Sequence, residues 1–319
     1  MMDKIKRKLD VVIPIVKGDI PTFINNLPYI WKHLPVKRII LIGSKSIKPL
    51  IADLNGVEFQ DEDNINEGMS LKTIKDIKKK ISGRDQRSGW YFQQFLKMAY
   101  ANICNDDYYL IWDSDTIPLK DIDFFDDSGK PYLDYRNYVK YDECFFETQN
   151  ILFPKEYLKK TVDWSFICEH LLVNVNIMRS LLDNLTKNGS AGKTTFFENI
   201  MFIIPKSLIN LSGFSEFETY AAYVLKNYPG MYTLRPWKNL RNAGIYIGHS
   251  ITESNTKWIA ESYDVISVED FNPQWHICKL LLKLDPNHKL RFKTVSKIIQ
   301  SCYSIIYDIR FKVRNIVKK

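Results

Sequence analysis

Three stretches of the chain place apolar residues at consecutive positions: DVVIPIV from Asp10, RIILIG from Arg38 and YYLIW over Tyr108–Trp112. A strand covered on both faces reads this way, because neither side of its pleat meets water. GVEFQ, from Gly56, is a shorter strand of the same set. Between them the pattern shifts to helical spacing. Pro21 to Leu34 predicts a helix with proline in its first turn. Residues 61–87 are charged and weakly periodic, which predicts a surface helix and loop. Ser88 stands where it would cap a helix running to about Ile103. The second half predicts short strands at QNILF from Gln149, LLVNV from Leu171, MFIIP from Met201 and GIYIG from Gly244. Helices are expected over Ile177 to Leu185 and Ser215 to Lys226. Apolar strands alternating with helices imply an α/β fold, a mostly parallel sheet with helices on both faces. The expected organisation is one two-sided domain over 1–288 and a separate tail over 289–319.

The YYLIW strand opens directly onto Asp113 and Asp115. Such a pair is costly to desolvate without a cation or hydrogen-bond donors. In extended backbone, i and i+2 share a face, so both carboxylates can approach one divalent ion. The same Asp-Ser-Asp, followed by Thr116 and Pro118, also suits a plain turn. Ligands of open α/β sheets bind beyond the carboxyl ends of the strands, which makes Lys17, Gly18 and Asp19 candidate contacts. Gln94 and Lys97 are three apart on one helical face, and Gln93-Gln94 interrupts an aromatic and apolar run where a buried amide needs a partner. Ser215 and Glu218 have capping-box spacing, which gives Glu218 a structural task. Glu216 then lies at the first helical position, favoured there but not needed for the cap. His249 ends the expected strand GIYIG, a placement that suits an imidazole metal ligand. Arg235, Lys238 and Arg241 flank Trp237, and a guanidinium matches phosphate oxygens two at a time.

Composition narrows the setting. The five cysteines, Cys104, Cys144, Cys168, Cys278 and Cys302, are scattered without a C-x-x-C pair, which argues against a disulfide framework or a zinc site and predicts a reducing compartment. The early apolar run Val11 to Val16 is interrupted by Pro14 and is too short for a signal-peptide core. No stretch approaches the roughly 20 apolar residues of a membrane span. A cytoplasmic protein is expected. The net charge of +8 resides in the tail: 289–319 holds nine basic residues against Asp308, and the remainder is balanced. That distribution speaks against a nucleic-acid-binding surface on the body. In the tail, Phe292, Val295, Ile298, Ile299, Cys302, Ile305, Ile306, Ile309, Val313 and Ile316 repeat in steps of three and four. One expectation for this basic amphipathic stripe is an anchor at the inner face of an anionic membrane. The other is packing on the protein's own core, or on a second subunit in a homodimer.

Five stretches together resemble a group of bacterial GT-A glycosyltransferases of surface-polysaccharide gene clusters. They are SGWYFQQFLK from Ser88, WDSDTIPL from Trp112, CEHLLVNVNIM from Cys168, GFSEFETYAAYV from Gly213 and YIGHS from Tyr246. The resemblance implies a GT-A-like, Rossmann-like fold with the donor side over about residues 1–120 and the acceptor side over 121–288. It implies a DxD motif at Asp113 and Asp115 holding Mn²⁺ or Mg²⁺, completed by His249. It places Lys17, Gln94, Lys97, Arg235 and Arg241 near a nucleotide-sugar donor, with UDP the expected carrier and a galactose-type sugar preferred. His170 would line the acceptor side, toward a glycan or lipid-linked glycan. An inverting enzyme would use Glu216, ahead of Glu218, as general base. Two other readings stay open. A nucleotidyltransferase acting on sugar phosphates would want a Gly-rich basic loop, where VIPIVKGDIP has one Gly and one Lys. A membrane-recruited protein could use the carboxylates merely to bind metal.

Overall fold

The computed structural model describes residues 7–137, 143–152, 164–187, 189, 191–248, 251–268 and 274–301. In chain order the first elements are β1 (Leu9–Pro14), α1 (Ile20–His33), β2 (Val36–Gly43), β3 (Val57–Asp61), α2 (Leu71–Ser82), α3 (Ser88–Ala99) and β4 (Tyr108–Trp112). Next come β5 (Thr116–Pro118), β6 (Tyr132–Asn137), α4 (Glu143–Leu152), β7 (Trp164–Ser165), β8 (His170–Asn174), α5 (Val175–Lys187) and α6 (Phe196–Ile203). The chain continues through α7 (Glu216–Asn227), β9 (Thr233–Pro236), β10 (Asn239–Leu240), α8 (Gly244–Ile247), α9 (Glu253–Ala260), β11 (Val265–Ser267) and α10 (His276–Leu284). These fall into two compact units, one of residues 1–114 and 123–237, the other of 115–122 and 238–319.

The first unit is a mixed α/β body. Its main sheet has the order β3-β2-β1-β4-β8. The first four strands are parallel and β8 runs antiparallel to β4, with Trp112 opposite His170. Every residue of β1, β4 and β8 is buried, as their unbroken apolar runs require. Helices α3, α5, α6 and α7 contribute Phe95, Leu181, Phe197 and Tyr220 to one continuous core with the sheet. A small second sheet, β7-β6-β9, completes this unit.

Three expected strands are helices. Residues 149–152 belong to α4, 201–203 to α6 and 244–247 to α8. MFIIP and GIYIG carry no strongly polar position and QNILF carries two only at its start, so runs this short fit a buried helix as well as a buried strand. For α6 the deciding signal is Thr195, whose hydroxyl accepts from Glu198 N at 3.3 Å and donates to Glu198 Oε2 at 2.9 Å. Ser88 is also corrected. It is the first residue of α3, and its hydroxyl donates to Asp85 O at 2.7 Å, while Arg87 takes the cap position with φ 65°.

The second unit holds the sheet β10-β11-β5, in which β5 and β11 are antiparallel. Its core is aromatic: the ring of Phe292 lies 4.8 Å from Trp258, 5.4 Å from Tyr246 and 5.8 Å from Tyr263. Residues 292–301 are helical, and Phe292, Val295 and Ile299 are buried, so this part of the tail stripe packs on the protein itself. The rest of the stripe, from Cys302, lies outside the described residues. No helix among the described residues is long and apolar enough to cross a membrane.

Candidate active site

Parallel pairing of β1 with β4, Val12 beside Ile111, brings the carboxyl ends of both strands out at one edge of the sheet. Asp113 stands at that edge as the first residue past β4. Its backbone N–H donates to Glu169 O at 3.1 Å. Glu169 is itself buried and holds φ 60°, a left-handed backbone that costs a non-glycine residue energy and is common where a site is over-determined.

Asp113 belongs to a buried charge cluster drawn from three elements. Lys97 Nζ, from α3, donates to Asp113 Oδ1 at 2.7 Å and to Glu216 Oε1, at the start of α7, at 2.9 Å. The Lys97 and Glu216 side chains are each 4 % exposed, whereas Asp113 is 25 % exposed. Burial would lower the Lys97 pKa, but the two carboxylates outweigh it and push the ammonium above its ordinary value. Burial raises the Glu216 carboxyl against the pull of Lys97, with Asp113 adding to the rise. One cation cannot neutralise two carboxylates, and the more enclosed of them bears the excess. The cluster thus presents Asp113 to solvent and keeps Lys97 and Glu216 behind it.

Gln94 holds the start of α7. Its Oε1 accepts from Glu216 N at 3.1 Å, and its Nε2 donates to Trp90 O at 3.4 Å. Ser215 caps the same helix, accepting from Glu218 N at 3.3 Å. Glu218 Oε1 accepts from Ser165 Oγ and Phe166 N, both at 2.8 Å. These bonds tie α7 to β7.

A cleft of about 420 Å³ opens beyond the carboxyl ends of β1 and β2, against the first turns of α3. Lys17, Asp19, Ser44, Glu62, Trp90 and Gln93 are among its lining residues. Lys17 thus stands where the strand-end rule expects a contact. Glu62, Ser44 and Trp90 are not among the sequence candidates, although the same rule applied to β2 and β3 points to Ser44 and Glu62. Burial first, then Asp63 and Asp61, push the Glu62 carboxyl up to about 6.

His170 and Arg235 form a second cluster. His170 Nε2 lies 2.8 Å from Asp134 Oδ2, and Nδ1 lies 2.9 Å from Cys168 O. Arg235 donates through Nε to Asp134 Oδ1 at 2.5 Å, and through Nη2 to Asp134 Oδ2 and Nη1 to Asp123 O, both at 2.8 Å. Burial would raise the Asp134 carboxyl, but hydrogen bonds from Arg235 and His170 outweigh it and hold it below its ordinary value. The ring of His170 is enclosed by Trp112, Phe124 and Trp237. Both side chains bond to the one buried carboxylate of Asp134, and His170 is left almost without solvent access.

Asp115 opens the segment that belongs to the second unit, where its carboxylate accepts from Thr116 Oγ1 at 3.4 Å and its carbonyl from Val268 N at 3.1 Å. Arg241 is exposed in the turn before α8, and His249 lies outside the described residues. Among the described residues, no group of three or more His, Cys, Asp or Glu is placed to hold a metal ion.

An open, parallel-rich α/β sheet with a carboxylate cluster and a cleft at its carboxyl edge defines the class of protein. The chain belongs to the Family of unknown function (DUF6492), whose model matches residues 60–271. No curated protein matches the sequence. Among solved structures, the chain is similar to mouse xyloside xylosyltransferase 1 in its apo form, with 11% identity, a TM-score of 0.45, and coverage of 84% of this chain and 99% of that one. It is similar to the galactosyltransferase LgtC in complex with donor and acceptor sugar analogues, with 11% identity, a TM-score of 0.45, and coverage of 88% and 97%. The apo WbbM bifunctional glycosyltransferase matches at 12% identity and a TM-score of 0.42, over 85% of this chain and 47% of that one.

Proposed function

We propose that the chain transfers a sugar from a nucleoside-diphosphate sugar to a hydroxyl group of a glycan acceptor. The observation that carries this reading is the shared sheet edge: a cleft beyond β1 and β2, and Asp113 beyond β4, within one compact unit. Crevices at the carboxyl ends of such sheets are where nucleotides bind. The stacking face of Trp90 and the polar ends of Ser44, Glu62 and Gln93 suit a nucleoside, and Lys17 suits a phosphate. Asp113 is partly exposed and gives one oxygen to Lys97, so it could offer the other to a divalent ion. Magnesium and manganese sites of this kind use one or two carboxylates and take further oxygens from substrate phosphates and water. Such an ion would act as a Lewis acid on the departing diphosphate.

Glu216 serves this site differently from the base role the resemblance implies. Enclosed and paired with Lys97, its carboxylate holds the ammonium that orients Asp113. Lys97 likewise acts through Asp113, holding the carboxylate in place by its hydrogen bond at 2.7 Å.

The reading is tested by release of nucleotide from UDP-sugars with and without Mn²⁺. Asp113→Asn is expected to lower the rate by roughly 100-fold or more, as when one group facing developing charge is removed. Unchanged metal-dependent release in that variant would sink it.

A further inference from the structure

The second unit carries a basic and apolar face that its own core leaves uncovered. Helix α10 exposes Leu280 and Leu284, 57% and 73% accessible, one turn apart on one side. Leu284 is the most exposed large apolar side chain among the described residues. Leu290 and Ile298 are also exposed, while their neighbours Val295 and Ile299 point inward. Leu284 and Leu290 border an apolar cavity of about 180 Å³ whose walls include Leu281, Leu282, Val295 and Ile299. The outward leucines are therefore continuous with apolar surface behind them and are not scattered singly.

The charges on this face have one sign. Lys279, Lys283, Lys289, Arg291, Lys293 and Lys297 are all exposed. Among the described residues none of the six forms a close ion pair with a carboxylate, although the charges of Lys289 and Asp285 attract. Asp285 is the one acid in 274–301, and its oxygens accept from the backbone N–H groups of Lys289 at 2.9 Å and Leu290 at 3.0 Å. Those bonds hold its carboxyl below the ordinary value and turn its charge toward the backbone.

We propose that this face, formed by α10 and the segment 285–301, docks on an anionic phospholipid bilayer, with Leu280, Leu284, Leu290 and Ile298 entering the interface and the six exposed cations meeting the head groups. Charge complementarity selects the occupant. A second copy of the chain would bring six like charges against six. A nucleic acid would answer the cations but would give aliphatic leucines nothing to enter, whereas the head-group boundary supplies anions and hydrocarbon together. The surface takes Ile298 from the tail stripe, whose Phe292, Val295 and Ile299 are used up inside the unit, and adds Leu280, Leu284 and Leu290, which lie outside that stripe. It does not depend on the transfer reaction proposed above.

The test is co-sedimentation of the full chain with vesicles of phosphatidylcholine alone, or mixed in equal parts with phosphatidylglycerol. The wild type is expected to sediment with the mixed vesicles, and less as salt rises. Leu280→Ser with Leu284→Ser, and separately Lys279→Glu with Lys283→Glu, are each expected to lower binding by about ten-fold. All four positions are exposed, so the unfolding midpoint should not move; should the leucine pair unfold, the lysine pair decides. Wild-type binding by both variants would assign any membrane contact elsewhere in the chain and overturn the proposal. So would no binding by the wild type, or loss with the lysine pair alone while the folded leucine pair binds normally.

Discussion

At the scale of single residues, Lys97 carries the most consequence. It lies between Asp113 and Glu216 with almost no solvent access. Removing it leaves two carboxylates facing each other in a buried space. Breaking a buried pair by taking one partner typically costs about 3–5 kcal/mol. Lys97→Ala is therefore expected to lose stability of that order in urea unfolding. Lys97→Met combined with Glu216→Leu should recover much of it, because the uncompensated charge goes too; a double variant as unstable as the single one would contradict the account. Glu62 gives a pH signature of the opposite kind. Its folded pKa of about 6 exceeds the ordinary 4.5, so the folded state binds its proton more readily than the unfolded chain does. The group's contribution is fully present below pH 4.5 and is lost as pH rises through 6. Glu62→Gln should remove that fall, raising stability at neutral pH by at most about 1 kcal/mol after solvent screening. Unfolding curves of both proteins across this interval check it. Of these residues, the sequence singled out Asp113 as a metal ligand at a strand end, Lys97 as a phosphate contact on a helix face and Glu216 as a base at a helix start. Their mutual pairing was not legible, since 119 positions separate Lys97 from Glu216. Arg235 shows the converse. A guanidinium near a tryptophan suits phosphate, but nothing local announces that Asp134, 101 positions away, claims it.

At the scale of elements, the sheet was legible where burial is two-sided. β1, β2, β4 and β8 are runs whose every second residue would otherwise need to be polar, and a parallel or central strand has no such need. The same property hid α6 and α8, because a run with no polar position carries no period, and QNILF hid α4 because five residues are too few to show one. Caps then decide. Thr195 and Glu198 before MFII mark a helix start, as Ser215 and Glu218 do for α7. Helix α7 shows how an element positions a site. Its first turn receives acceptors from Ser215 and Gln94, which fix Glu216 against Lys97. Ser215→Ala is expected to cost about 1 kcal/mol, the usual worth of an N-cap. Measured stability within a few tenths of wild type would mean that Gln94 alone holds the helix start.

At the scale of the whole molecule, the two units are interleaved along the chain. A linear pattern suggests where one run ends and another begins, but a sheet can recruit a strand from far away. Residues 115–122 leave the first unit's sequence, and β5 pairs antiparallel with β11, with Thr116 opposite Ser267 and Pro118 opposite Val265. Ile117, Leu119 and Ile122 are buried, and the Thr116 and Ser267 hydroxyls lie 3.0 Å apart. A chain ended after Trp237 would keep these apolar residues and lose β11, leaving a strand edge and three large side chains to water. Exposed edges of that kind invite pairing between chains. Such a truncation is expected to be aggregation-prone and to bind a hydrophobic dye. Replacing 115–122 by a short Gly-Ser linker in the truncated chain should restore soluble first unit, because the orphaned strand goes with its partner. Size-exclusion chromatography of the two truncations decides the matter: a soluble monomer from the first would show that β5 does not need β11, and aggregation of both would show that the first unit does not stand alone.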